Sequence, residues 1–182
     1  MNLLFVSNGS LTPVYSAVAK YLESRGHNIF WLVTENIWQE YLLKDFNHSS
    51  ILHLKRSGID NVSRIPNVVI PLNEIIYIDR ELRTWRSKES KFYIQNLHHR
   101  LKNLLVGNDM NFAFSENTWA HEITISMMCD MDNEVGCLHL SPHNLRIPDN
   151  RFAFFSNFLL YDPIAHNQPF EDIQVGCLSK NA

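Results

Sequence analysis

The sequence predicts an α/β domain built on an open, mostly parallel sheet with helices on both faces. Two observations carry that expectation. Residues 3–6 (LLFV) and 29–33 (IFWLV) are continuous apolar runs, the pattern of strands buried on both faces rather than on one. Between them lies a helical periodicity, and two buried strands joined through a helix form a parallel β-α-β unit. The length of 182 residues suits one such domain over 1–182, since a chain of this size buries roughly 70% of the surface its unfolded form exposes.

The first strand stops at Ser7-Asn8-Gly9-Ser10, a turn-forming quartet. After Pro13, apolar residues fall at Val14, Ala17, Val18, Tyr21 and Leu22, the i, i+3, i+4, i+7, i+8 stripe expected to face the sheet. Gly26 sits where a left-handed helix cap belongs, and the second strand closes at Thr34-Glu35. Residues 37–46 read as helix, and 51–54 and 68–72 as short strands. The mixed-charge segment 78–106 is predicted as one long helix. Trp85, Phe92, Leu97, Leu101 and Leu105 point inward, His98-His99 lie on a solvated face, and Gly107-Asn108 is the stop. Residues 112–114 begin a further buried strand, 119–131 a helix packed on the sheet, and 135–140 the next strand. Beyond it, Ser141-Pro142-His143-Asn144 and residues 147–150 carry turn chemistry.

Hydrophobic residues make up 45% of the chain and charged residues 19%, which excludes disorder as a description of the whole. The net charge of −3 and the dispersed Lys and Arg leave no electrostatic footprint for nucleic acid. Cys129, Cys137 and Cys177 show no CxxC pairing, the usage of a reducing compartment. The N-terminus has no signal-peptide pattern and no stretch approaches 18 apolar residues, so a cytoplasmic protein is expected.

In open α/β sheets, ligands collect outside the carboxyl ends of the parallel strands. The strand ends read above deliver Ser7, Asn8, Gly9 and Ser10, then Thr34-Glu35, then Ser115-Glu116-Asn117, then His139 to His143 to that edge. Glu116 stands at a strand tip, with His121 and Glu122 in the first turns of the next helix. A carboxylate there can take a hydroxyl proton or orient a sugar hydroxyl, and a histidine titrates near neutrality. The alternative is structural: Glu116 or Asn117 caps the helix, Trp119 is core, and Glu122 complements the dipole. The first turn contains neither GxGxxG nor GxxxxGK[ST], which argues against a complete nucleotide pocket. His121, Glu122, His139 and His143 do not form HExxH or share a helical face, so no metal site is assigned. No GxSxG elbow follows a strand. Arg146 and Arg151 could hold an anionic sugar or acceptor, or pin their own loop through Asp149.

The motifs SENTWAHE (115–122) and LRIPDNRFAFF (145–155), with the LLFVSNGS strand and turn, resemble the amino-terminal half of bacterial capsule polysaccharide biosynthesis proteins. These are GT-B glycosyltransferases, Kdo transferases among them. The resemblance implies a Rossmann-like, acceptor-side lobe. A second lobe or partner subunit would hold most of a nucleotide-sugar donor, which is a substrate, so no cofactor is expected. It implies a glycan or glycolipid acceptor, peripheral membrane association, and little transfer by the isolated lobe. In that frame Glu116 is the first candidate for base or acceptor-orienting residue and His121 the second. Trp119 offers an apolar face to a sugar ring, and Ser7, Asn8, Gly9, Ser10, His143, Arg146 and Arg151 line the substrate side. A non-catalytic Rossmann-like binding or interaction module is the alternative.

Overall fold

The computed structural model describes residues 1–7, 9–54, 68, 70–145 and 151–155. Its elements run β1 (Asn2–Val6), α1 (Thr12–Ser24), β2 (Asn28–Val33), α2 (Asn36–Leu42), β3 (Ile51–His53), α3 (Leu72–Ile78), α4 (Ser87–Gly107), β4 (Phe112–Phe114), α5 (Ala120–Met131), β5 (Leu138–Leu145) and β6 (Arg151–Phe155). The strands form one sheet in the order β3-β2-β1-β4-β5-β6. The first five are mutually parallel and β6 runs antiparallel to β5. This is the Rossmann-like α/β architecture that the two apolar runs predict.

Strand order reverses between β1 and β4, since the chain leaves β1 toward β2 and β3 but continues from β4 toward β5. Right-handed crossovers then put α1 and α5 on opposite faces. The two cores show it. Tyr15 and Ala19 of α1 and Leu42 of α2 pack with Leu3, Phe5, Ile29, Trp31 and Val33 on one face. Residues of α3, α4 and α5 pack with Leu4, Val6, Leu32 and Ala113 on the other. The alternation of β1, odd residues to one core and even residues to the other, follows from the strand's two-residue period.

Helix α1 occupies its predicted span but turns a different side to the sheet. Thr12, Tyr15, Ser16 and Ala19 are buried, whereas Val14, Ala17, Val18 and Tyr21 face outward. Small side chains at Ser16 and Ala19 bring the helix close to the strands, and the Tyr15 ring reaches Phe5 at 6.2 Å between centroids. Gly26 caps the helix as expected: its φ is 85°, and its N–H and that of His27 donate to Glu23 and Leu22, a Schellman closure.

The long helix expected over 78–106 begins later than predicted. Helix α3 ends at Ile78 and α4 begins at Ser87. The break is made by Asp79, whose carboxylate accepts the N–H groups of Glu81 and Leu82, each at 2.8 Å, and so folds the chain into a 3-10 turn at Leu82–Thr84. On α4, Leu97, Leu101 and Leu105 are buried as predicted and Trp85 packs against their cluster, while Phe92 is half-buried. His98 is buried as well, rather than solvated. The stretch read as a strand over 68–72 is not one: Leu72 already opens α3, and residue 69 lies outside the described residues. Nor is Ser141-Pro142-His143-Asn144 a turn. Strand β5 pairs with β4 through residues 138–140 and then with β6 through 141–145, so Pro142 falls beyond the end of the parallel ladder, where a missing N–H is tolerated.

Candidate functional site

The reversal of strand order puts the ends of β1 and β4 side by side, the place where open α/β sheets leave a crevice. From β1 comes Ser7. It is buried, and its Oγ lies 2.7 Å from Thr12 Oγ1 at the start of α1, so the first turn fastens the strand to its helix. Gly9 adopts a φ of 46° there and opens a 3-10 turn into α1. Ser10 belongs to that turn, and Asn8 lies outside the described residues.

From β4 comes the corner 115–119, and its organiser is Glu122. Glu122 is fully buried. Its Oε2 accepts the Thr118 N–H at 2.8 Å, the Thr118 hydroxyl at 2.9 Å and the Trp119 N–H at 3.0 Å, while Oε1 accepts the Glu116 N–H at 3.3 Å. One side chain thereby gathers three backbone donors ahead of α5 and places a negative charge in the helix's first turn, where the dipole favours it. The residue entering the helix is Trp119, half-buried, and neither Glu116 nor Asn117 acts as the cap. Asn117 takes a φ of 62°, a left-handed conformation that asparagine tolerates better than most side chains.

That fold of the corner holds Glu116 half-buried. Burial, and after it the charge of Glu122, raise the Glu116 carboxyl above its ordinary pKa. On α1, Tyr15 is buried against Phe5, which in turn stacks on Phe114 at the end of β4, and its phenol is raised far above its usual value by burial and by the charges of Glu116 and Glu122. The site therefore joins a carboxyl with elevated proton affinity to a phenol that stays neutral.

His121 goes elsewhere. It is buried in the first turn of α5 and lines a hollow on the α3–α4 side with Asp79, Glu81, Leu82, Trp85, Tyr93 and Ala120. The interior of about 10 Å³ has room for roughly one water molecule. Asp79 is the residue that sequence reasoning missed: its Oδ2 accepts the Ala120 N–H at 2.7 Å, so it caps α5 from 41 positions away. Only the tertiary fold creates that contact, and no local signal reveals it.

His139 is also interior. It stands opposite Ala113 in the sheet, on the face that carries α5, and its Nε2 lies 2.7 Å from Ser115 Oγ. A serine and a histidine at this distance suggest an activated nucleophile, but Ser115 is fully buried and His139 Nδ1 has no partner among the described residues. The pair ties β4 to β5 instead. Burial lowers the His139 pKa to about 4, so the ring is neutral at pH 7. The unfolded chain, with an ordinary value of 6.5, binds the proton first as pH falls, and stability is lost between about pH 6.5 and 4. By linkage the loss reaches roughly 2 kcal/mol at pH 5 and about 3 kcal/mol below pH 4. Denaturant unfolding at pH 7 and pH 5 should show it, and the His139→Leu variant should show a smaller pH dependence. Equal pH dependence in the two proteins would refute the assignment.

His143 and Arg151 are positioned in the backbone only, opposite Ala153 and Leu145 in the β5–β6 pairing, and Arg146 lies outside the described residues. Among the described residues, no group of three or more His, Cys, Asp or Glu is arranged to hold a metal ion, and no helix is long and apolar enough to cross a membrane.

No protein-family model matches the chain, and no curated protein matches it. What the geometry defines is a class: a Rossmann-like lobe whose strand-order reversal presents a half-buried carboxyl beside a buried phenol.

Proposed function

We propose that this lobe is the acceptor side of a cytoplasmic glycosyltransferase of capsular or surface polysaccharide assembly, with Glu116 taking the proton from the acceptor hydroxyl as the sugar is transferred. The observation that carries the reading is the environment of Glu116. A general base works best when its proton affinity is brought toward the operating pH, and burial with the neighbouring Glu122 charge pushes Glu116 in that direction. The leaving nucleotide needs stabilising positive charge, which in this reading a second lobe or subunit supplies together with the donor site. The resemblance of the 115–122 and 145–155 motifs to capsule biosynthesis proteins supports the same assignment.

The test is sugar transfer by the full gene product, from a panel of nucleotide sugars to glycan acceptors, comparing wild type with Glu116→Gln. Loss of a base of this kind is worth about 10²–10⁴-fold in turnover. The same change should leave thermal stability equal or higher. A carboxyl whose folded pKa is raised destabilises the fold at pH values above that pKa, and the amide removes the disfavoured charge. His121→Ala, on the other side of the sheet edge, should reduce turnover less than Glu116→Gln. Undiminished transfer by Glu116→Gln would defeat the proposal.

A second reading, a non-catalytic interaction module, is favoured by the outward stripe of Val14, Ala17, Val18 and Tyr21 on α1. It predicts no transfer with any donor in the same assay.

A further inference from the structure

A buried polar group without a hydrogen bond costs about 1–3 kcal/mol, and each instance in a folded protein calls for an explanation. Two such groups belong to the two sides of the strand-order reversal. The Tyr15 hydroxyl and Asn117 Oδ1 are both buried without a partner among the described residues, and their residues are 6% and 7% exposed. They come from different parts of the chain: helix α1 and the corner that precedes α5. Tyr15 stands on α1 with its ring 6.2 Å from that of Phe5, which stacks at 4.7 Å on Phe114, three residues before Asn117. Other unpartnered atoms, such as Trp31 Nε1 and Thr124 Oγ1, sit within strand β2 and helix α5 rather than at the crevice.

The chemistry of the two atoms selects a ligand. Tyr15 remains protonated because burial, and after it the charges of Glu116 and Glu122, disfavour a phenolate, so its hydroxyl is a donor with a free proton. Asn117 Oδ1 is an acceptor only. A hydroxyl group satisfies both, accepting from one and donating to the other. An anion does not: it would accept the Tyr15 hydrogen bond but leave Asn117 Oδ1 without a donor, and the carboxylates of Glu116 and Glu122, whose charges act on Tyr15, would repel it.

We propose that Tyr15 and Asn117 recognise a hydroxyl of an uncharged polyhydroxylated ligand, a glycoside, bound where strand order reverses between β1 and β4. The proposal rests on the acceptor-side reading of this edge and adds the recognising residues and the charge class of the ligand. Both are positioning residues: they hold the hydroxyl beside Glu116 and take no proton themselves. The left-handed turn at Asn117 gives the site a built-in variant, because Asn117→Gly removes the oxygen while keeping a φ of 62° accessible.

The experiment is titration calorimetry on the full gene product with a panel of methyl glycosides and the matching sugar 1-phosphates. At least one methyl glycoside should bind saturably and more tightly than its phosphate. Tyr15→Phe and Asn117→Gly should each weaken that binding at least tenfold, with Tm unchanged or raised, since each removes an unpaired buried group. A fall in Tm with glycoside affinity intact would show that the two atoms are satisfied by structural water, and would overturn the proposal. So would tighter binding of the phosphates or no glycoside binding at all. Transfer assays on the same proteins separate the two readings. Tyr15-dependent glycoside binding without transfer from any donor removes the transferase and leaves the hydroxyl site. Transfer with kcat/KM unchanged in both variants does the reverse.

Discussion

Glu122→Ala is expected to lower unfolding free energy by about 3–5 kcal/mol, among the largest losses available to a single substitution in this protein. Four hydrogen bonds end on that carboxylate, and bonds to a charged acceptor contribute about 1.5–3 kcal/mol each before non-additivity is counted. Alanine also leaves the part-buried N–H groups of Glu116, Thr118 and Trp119 without their acceptor. The isosteric change is more informative. Glu122→Gln keeps the volume but turns one acceptor into an NH2 group facing N–H donors, so it should cost about 1–3 kcal/mol and leave a folded protein. In that protein the corner 115–119 loses its clamp, and Glu116 loses the neighbouring charge that helps to raise its pKa. In the transferase proposed above, sugar transfer should therefore fall in Glu122→Gln, and the acidic limb of its pH profile should move to lower pH. Urea unfolding with the pH dependence of turnover checks both halves. Full stability in Glu122→Ala would mean that the four bonds are not organising the corner.

The fold was legible because its central strands are buried on both faces, and chains of that kind cannot hide their nature: LLFV and IFWLV fit a covered parallel sheet and little else. The strand end at Ser7 followed from the first of these runs, and that at Glu116 from the apolar residues 112–114. What escaped prediction depended on partners distant in sequence. The apolar stripe of α1 named Val14 and Val18 as core, yet the helix buries Ser16 and Ala19 because closeness to the sheet matters more there than side-chain area. His98 reads as polar surface on a mixed-charge helix, and only the packing of α4 buries it. Pro142 argued for a turn until a second, antiparallel partner took over strand β5. At the site, Glu122 was visible as an acidic residue near a helix start, but its role as the hub of a corner was not. Tyr15 was invisible altogether: a tyrosine on an amphipathic helix carries no mark of the carboxylates whose charges act on it.

Asp79→Ala is the counterpart test at the α3–α4 turn, with an expected loss of about 3–5 kcal/mol. Asp79 is buried and its two oxygens serve different elements. Oδ1 takes the N–H groups of Glu81 and Leu82 and closes the turn between α3 and α4, and Oδ2 takes the N–H of Ala120, the first residue of α5. Removing it orphans three buried or half-buried donors and releases the N-terminus of α5 from the α3–α4 corner. A charge at that helix start adds a dipole contribution of about 0.3–1 kcal/mol, which Asp79→Asn would lose along with one acceptor, for a total of about 1–3 kcal/mol. Because α5 follows directly on the Glu116 corner, slack at Ala120 should reach the site. Hydrogen exchange offers the cleanest reading: amides of 118–123 should lose protection in Asp79→Asn, while those of β2, hydrogen-bonded between β1 and β3, should not. Uniform loss of protection across both regions would mean that Asp79 supports the fold as a whole and has no particular hold on α5.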